Sequence, residues 1–132
     1  MTTRDDQLVA EMQVLRDRVI GVTDIVVASA DGLLITAETD GTESAEGLAA
    51  LTAAALSIAR RVGRVTSMGV LHHTVTQFTD GYLVAQAIGE MALIGILGDS
   101  GTDVKRLHIE AKVSAERIGT LLTTGSTADP GD

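Results

Sequence analysis

The chain has 132 residues, which suits a single compact domain of the usual size of roughly 100–150 residues. Hydrophobic residues make up 45%, yet there is one Tyr, one Phe and no Trp, so aliphatic side chains must fill the core. A formal net charge of −8 and this lack of aromatic rings argue against nucleic-acid binding, which needs Lys and Arg to neutralise phosphates.

The chain also lacks the features of a secreted or membrane protein. It contains no cysteine, which excludes disulfides and thiolate metal sites. Asp5 and Asp6 occupy the region where a signal peptide needs positive charge. The most apolar stretch, residues 48–59, is too short to span a bilayer. We therefore expect a cytoplasmic protein without direct membrane insertion.

The first third of the chain predicts a helix followed by a β-hairpin. Residues 4–20 form the predicted helix α1, because apolar residues recur there at spacings of three and four. Residues 24–30 and 33–37 are rich in β-branched and aliphatic residues and predict strands β1 and β2. The Asp31-Gly32 dipeptide between them suits a tight hairpin turn.

A long apolar helix, α2, is predicted over residues 43–65, with Asp40 and Glu43 as its start signal. Its larger apolar residues repeat at three and four: Leu48, Leu51, Ala55, Ile58 and Val62. Alanines fill much of the remaining circumference. A helix that is apolar beyond one stripe usually has neighbours on more than one side.

The second half predicts three strands and a final helix. Residues 69–78, 82–88 and 91–97 form the predicted strands β3, β4 and β5, and the short turns between them make the meander antiparallel. Helix α3 follows Gly101, with Ser100 or Thr102 as its cap. We expect one domain over residues 1–124 and a disordered polar tail over residues 125–132.

This order, α-β-β-α-β-β-β-α, predicts an α+β fold with one five-stranded antiparallel sheet. In it β1 and β5 are central, β2 and β3 are the edges, α1 and α3 share one face, and α2 covers the other. Five strands span roughly 20 Å, whereas one helix is about 10 Å across, so α2 covers only half of its face.

A second copy of the chain would complete that face, with α2 packed on its mate and the two β3 edges paired. The sequence therefore predicts a homodimer. The residues predicted for the dimer or partner interface are Leu48, Leu51, Ala54, Ala55, Ile58 and Val62 on α2, with Val70, His72, Thr74 and Thr76 on β3.

Three segments carry a resemblance to a known family: VVASADGLLI at residues 26–35, the Ala-rich α2, and GYLV at residues 81–84. Together with the element order, they resemble the roadblock/dynein light chain family, which has a roadblock/profilin-like fold. The resemblance implies a homodimer that binds a Ras-like small GTPase on the paired α2 helices and regulates its nucleotide state or localisation. In bacteria, the type that this chain resembles, a sensor kinase often belongs to the same signalling system.

Two alternatives to this adaptor role stay open. Similar helix-on-sheet folds hold a small ligand between the sheet and a helix, which would make the chain a sensor module. A purely structural dimer that clamps a larger assembly is the other alternative. The sequence shows no Ser, His and acid constellation and no Cys nucleophile, so we expect no enzyme activity, catalytic residue or cofactor.

The remaining candidate residues are basic or histidine side chains. Arg60, Arg61 and Arg64 near the end of α2 are candidate partner-facing cations, although a surface helix end also explains them. His72 and His73 are adjacent on a strand, so they face opposite ways and cannot chelate one metal. We predict no metal site.

Gly95, Gly98 and Gly101 precede a helix, but the Lys-Ser/Thr of a phosphate-binding loop is missing. A crowded strand and a turn explain these glycines better than a phosphate-binding loop does. We therefore expect no nucleotide site on this chain.

Overall fold

The computed structural model describes residues 2–39 and 44–127, with the α+β architecture that the sequence predicts. The elements are α1 Arg4–Arg18, β1 Val22–Ser29, β2 Leu34–Thr39, α2 Ala45–Val65, β3 His73–Phe78, β4 Gly81–Ile88, β5 Ala92–Asp99 and α3 Val104–Thr127. The sheet is antiparallel in the order β2-β1-β5-β4-β3, which confirms the predicted fold class. Strands β2 and β3 are its edges.

Two apolar layers hold the helices against the sheet. The larger layer packs α1 and α3 on one face, around fully buried side chains such as Leu8, Leu15, Ile94 and Ile118. The smaller layer lies under α2 on the other face and contains mostly alanine, valine and leucine. The sheet is thus covered by two helices on one side and by one helix on the other.

Local signals fix where the first two helices begin. Thr3 and Asp6 form a capping box, in which the Asp6 N–H donates to Thr3 Oγ1 and the Thr3 N–H donates to Asp6 Oδ2. Ser44 caps α2, because its Oγ accepts the Gly47 N–H at 3.1 Å. The start signal predicted at Asp40 and Glu43 lies outside the described residues.

The boundaries of the elements differ from the prediction by a few residues, most of all at the start of β3. Helix α1 ends at Arg18 because Val19 is already extended. Strand β3 begins at His73 and not at residue 69, because Ser67 and Gly69 turn the chain with φ of 57° and 101°, and because residues 69 and 70 would lie beyond Ile88, where β4 ends.

At the other end of the chain, α3 continues to Thr127, past residue 124, where the predicted domain ended. The predicted tail over residues 125–132 therefore begins within this helix. The remainder of that tail, residues 128–132, lies outside the described part of the chain.

Helix α2 lies very close to the sheet. A Cβ at Gly95 of β5 would stand 2.7 Å from Thr52 Oγ1 and 2.9 Å from Thr52 Cγ2, which is too close for real contacts. The predicted role of Gly95 in a crowded strand is therefore correct. This contact sets the distance between α2 and the sheet, and the opposite side of α2 faces outward.

Candidate interaction surface on α2 and the β3 edge

Helix α2 carries two apolar stripes, only one of which contacts the sheet. The inner residues Ala49, Thr52, Ala53 and Leu56 are buried. A second set recurs at spacings of four, three, four and three, and we call it the outer stripe: Leu51, Ala55, Ile58, Val62 and Val65. Its larger members are exposed.

The exposed fractions are high for aliphatic residues. Leu51 is 70% exposed, Ile58 68%, Val62 54% and Val65 77%. A repeat of 3.5 residues is the spacing by which one helix presents a continuous seam to another helix. The outer stripe is therefore built to pack against a helix, and no helix of the described chain covers it.

The edge strand β3 lies at the end of the sheet towards which α2 runs. Thr74 pairs with Ala85, which belongs to the apolar layer under α2, so Thr74, Thr76 and Phe78 point to the α2 face. Thr76 and Phe78 are exposed there, and no strand in the described part of the chain pairs with the outer side of β3. An open edge of this kind is a template for another strand.

Most of the predicted interface residues lie on this surface. Leu51, Ala54, Ile58, Val62 and Thr76 are exposed, while Ala55 and Thr74 are half-buried. Leu48 is different, because it is half-buried against the layer under α2 and belongs to the inner stripe. Val70 and His72 are exposed but precede β3, so they do not belong to its paired edge.

Sequence reasoning missed three exposed apolar residues of the same surface. Val65 continues the spacing of the outer stripe and could have been found by extending it by one step. Phe78 follows Thr74 and Thr76 in the strand alternation, which was an equally readable signal. Met68, 82% exposed in the turn after α2, had no pattern that would identify it.

The predicted arginine cluster is divided by the structure. Arg61 lies beside Ile58, Val62 and Val65 at the end of the outer stripe. Arg60 and Arg64 instead line a groove of about 360 Å³, together with residues 69–71 and the β4–β5 turn. None of the three makes an ion pair with another described residue, so Arg61 is the cation best placed beside the stripe.

Other kinds of site find little support in residues 2–39 and 44–127. No group of three or more His, Asp or Glu side chains is placed to hold a metal ion. A concavity of about 520 Å³ lies between the β4–β5 turn and α3. No helix in this part is long and apolar enough to cross a membrane.

Residues 8–98 match the family model of the Roadblock/LC7 domain. An uncharacterized protein of Methanocaldococcus jannaschii is 30% identical over 98 residues, which covers 74% of this chain and 85% of that protein. The chain belongs to the Roadblock/LC7 family. This confirms the resemblance found in the sequence.

Solved structures agree with this assignment. A Roadblock/LC7 domain from Streptomyces avermitilis has a TM-score of 0.81 at 25% identity and covers 87% of this chain and 97% of its own. The gliding protein MglB from Thermus thermophilus has a TM-score of 0.83 at 13% identity and covers 92% of each chain, which shows likeness of fold. The Roadblock/LC7 family is one of regulatory and adaptor proteins.

Proposed function

We propose that this Roadblock/LC7 chain is a homodimeric adaptor that binds a Ras-like small GTPase through its paired α2 helices. It would modulate the nucleotide state or localisation of that GTPase within a cytoplasmic signalling system. A sensor kinase of the same system is a further candidate partner. The observation that supports the proposal best is the exposed outer stripe of α2 beside the unpaired edge β3.

The homodimer is proposed because no described residue of the chain covers the outer stripe of α2 or pairs with the edge of β3. A twofold axis beside β3 would pair the two β3 edges and bring the C-terminal halves of the two α2 helices together. Ile58, Val62 and Val65 would then pack on their mates, and Thr76 and Phe78 would be covered from above. One symmetric contact removes both the exposed apolar stripe and the open edge.

The GTPase surface would be the outward side of the paired helices. Ala54 is exposed on that side and allows close approach, while Arg61 supplies a positive charge next to the stripe. Because the chain carries a net charge of −8, an unpaired arginine there would favour an acidic region of the partner. A small ligand under the middle of α2 is disfavoured, since Gly95 and Thr52 leave no space there between the helix and the sheet.

The dimer is tested by replacing one isoleucine in the stripe and a matched one elsewhere. Ile58→Ala removes a side chain that is 68% exposed in the single chain, and Ile109→Ala removes one that is 60% exposed on α3. Full burial of isoleucine stabilises by about 1.5–3 kcal/mol, so covering Ile58 is worth about 1–2 kcal/mol per copy. Two copies correspond to a roughly 30- to 1,000-fold rise in the dimer Kd.

Analytical ultracentrifugation of the parent and both variants measures the dimer Kd. The dimer Kd should rise for Ile58→Ala and stay within about threefold of the parent for Ile109→Ala. Equal effects of the two variants, or a parent protein that stays monomeric at high micromolar concentration, would contradict the proposed dimer.

GTPase binding is tested separately from dimerisation. The tagged protein should recover a Ras-like GTPase from native lysate, and the purified partner should then bind directly in calorimetry. Arg61→Ala should weaken that binding while the dimer persists, whereas Arg106→Ala on α3 should leave it unchanged. A stable dimer that binds no GTPase in either nucleotide state would favour the structural-scaffold alternative.

A further inference from the structure

The structure brings together two histidines that are far apart in the sequence. His73 is the first residue of β3, and His108 lies on α3 against it, with the ring centroids 4.0 Å apart and the planes tilted by 41°. Both side chains are half-buried. Two imidazoles at this distance tolerate each other when at least one is neutral, because two positive charges would repel strongly.

The described residues around this pair contribute no compensating negative charge. On α3, Lys105 and Lys112 lie about one turn to either side of His108, while Asp103 accepts the Arg106 N–H at the start of the helix. The nearest acidic residue along α3, Glu110, faces Arg18 and Arg106. Among the described residues, no carboxylate lies within ion-pairing distance of either imidazole.

The neighbouring strand contributes only a neutral group. Gln86 of β4 is the cross-strand partner of His73, and its Nε2 donates to the His72 carbonyl at 3.1 Å. Nδ1 of His108 is buried without a hydrogen-bond partner in the described chain. Gln86 Oε1 is also buried without a hydrogen-bond partner, so the described residues offer an amide oxygen but no carboxylate to stabilise an imidazolium pair.

The burial of this pair and its neighbouring charges change the pKa of His73. Burial lowers the pKa of His73 below its ordinary value of 6.5, and the positive charges of protonated His108 and His72 lower it further. The histidine pair is accordingly uncharged on at least one ring near neutral pH. Acidification would force positive charge into the ring contact through which His73 of β3 meets His108 of α3.

We propose that protonation of the His73–His108 pair is an acid-sensitive switch that loosens the edge strand β3 from α3. The same strand is the edge that the proposed dimer would pair, so for the dimer the inference rests on the proposed function. A free edge can relax away from α3 when the pair is charged, whereas a paired edge is held in place. Acid therefore weakens both the α3–β3 contact and the dimer.

The direction of the effect is set by proton linkage. A histidine whose pKa is lower in the folded state than in the unfolded state binds more protons on unfolding. Its contribution to stability is complete above the unfolded value of 6.5 and is lost as the pH falls towards the folded value. The relevant window is therefore from about pH 7.5 to about pH 5.5.

The test uses variants of each histidine, with His72 as the matched control. His73→Gln and His108→Gln replace one ring of the pair by a neutral side chain, and His72→Gln changes an adjacent, exposed histidine on the other face of the chain. Urea unfolding at pH 7.5 and 5.5 gives the ratio of unfolding constants. In the parent this ratio should rise by up to about tenfold per unit of lowered pKa.

The ratio should shrink most in His73→Gln, which removes the titrating ring, less in His108→Gln, and least in His72→Gln, whose charge is the smallest of the causes that lower the His73 pKa. Histidine NMR titration of the parent needs no variant and should place the His73 pKa below 6.5. After correction for the pH dependence of intrinsic exchange, the protection of β3 amides should fall at pH 5.5, while the protection of β1 and β5 amides should stay the same.

Three results would overturn the switch. The first is a His73 pKa at or above 6.5, and the second is an equal ratio of unfolding constants in His73→Gln and the parent. The third is hydrogen-exchange protection of the β3 amides that does not change with pH. Sedimentation at both pH values keeps this separate from the proposed function. A monomer at both values refutes the dimer alone, whereas a pH-independent dimer Kd refutes the effect of the switch on assembly.

Discussion

Replacing Gly95 by alanine tests how tightly α2 is seated on the sheet. The new Cβ would lie 2.7 Å from Thr52 Oγ1, 2.9 Å from Thr52 Cγ2 and 3.2 Å from Val26 Cγ2. Thr52 cannot move aside cheaply, because it is buried and its hydroxyl donates to the Leu48 carbonyl at 2.7 Å. Helix α2 must therefore rise from the sheet or Thr52 must give up this hydrogen bond.

The expected loss of stability can be worked out from these contacts. Forcing one extra carbon into a packed core costs about 1–3 kcal/mol. The lower chain entropy of unfolded alanine returns about 0.4–1 kcal/mol. We therefore expect Gly95→Ala to lower the free energy of unfolding by about 1–2 kcal/mol.

Thr52→Ala supplies the second half of a double-mutant cycle. It removes the two closest atoms that the new Cβ would meet and leaves only Val26 Cγ2 at 3.2 Å, so the added methyl group of Gly95→Ala would fill the space left by Thr52. The double variant should be about as stable as Thr52→Ala alone, with a favourable coupling of about 1–2 kcal/mol. Urea unfolding followed by far-UV circular dichroism suits a chain without tryptophan. Additive effects of the two substitutions would refute the packing argument.

Two smaller predictions concern the helix starts, and both are measured by the same urea unfolding at a fixed protein concentration. Thr3→Ala removes one half of the capping box with Asp6 and should lower the free energy of unfolding by about 0.5–2 kcal/mol; no change would mean that the box does not stabilise α1. Gly47→Ala should raise it by about 0.5–1 kcal/mol, because its Cβ would make only ordinary contacts of 3.6 Å with Ser44, and a loss would contradict the described α2 start.

The element order and sheet topology could be predicted because their signals are local. Asp31-Gly32, Asp80-Gly81 and Gly89-Glu90 lie where short turns join the strands, and the apolar run of β5 indicates a central strand. The early start predicted for β3 was wrong for a non-local reason. Residues 69–71 have strand-like composition, but β4 ends at Ile88, so residues 69 and 70 have no part of β4 to pair with.

The candidate site was harder to predict because α2 is apolar on two sides. Leu48 and Leu51 both satisfy a helical repeat, and spacing alone cannot decide which of them faces the sheet. The contact between Thr52 and Gly95 decides it, and that contact joins residues far apart in sequence. The pairing of His73 with His108 and the division of the arginines are likewise consequences of tertiary packing.

Strand β3 takes part in both the proposed dimer and the proposed acid-sensitive switch, and its two faces have different neighbours. Its α2 face carries Thr76 and Phe78 and is open to a second copy, whereas His73 on the opposite face contacts α3. A perturbation at one face should therefore be felt at the other, because a strand moves as a unit. If so, forming the dimer should lower the His73 pKa further, since a paired strand cannot relax away from a charged His108. Reciprocity then requires that acid weaken the dimer to the same extent, so the two measurements must agree in free energy.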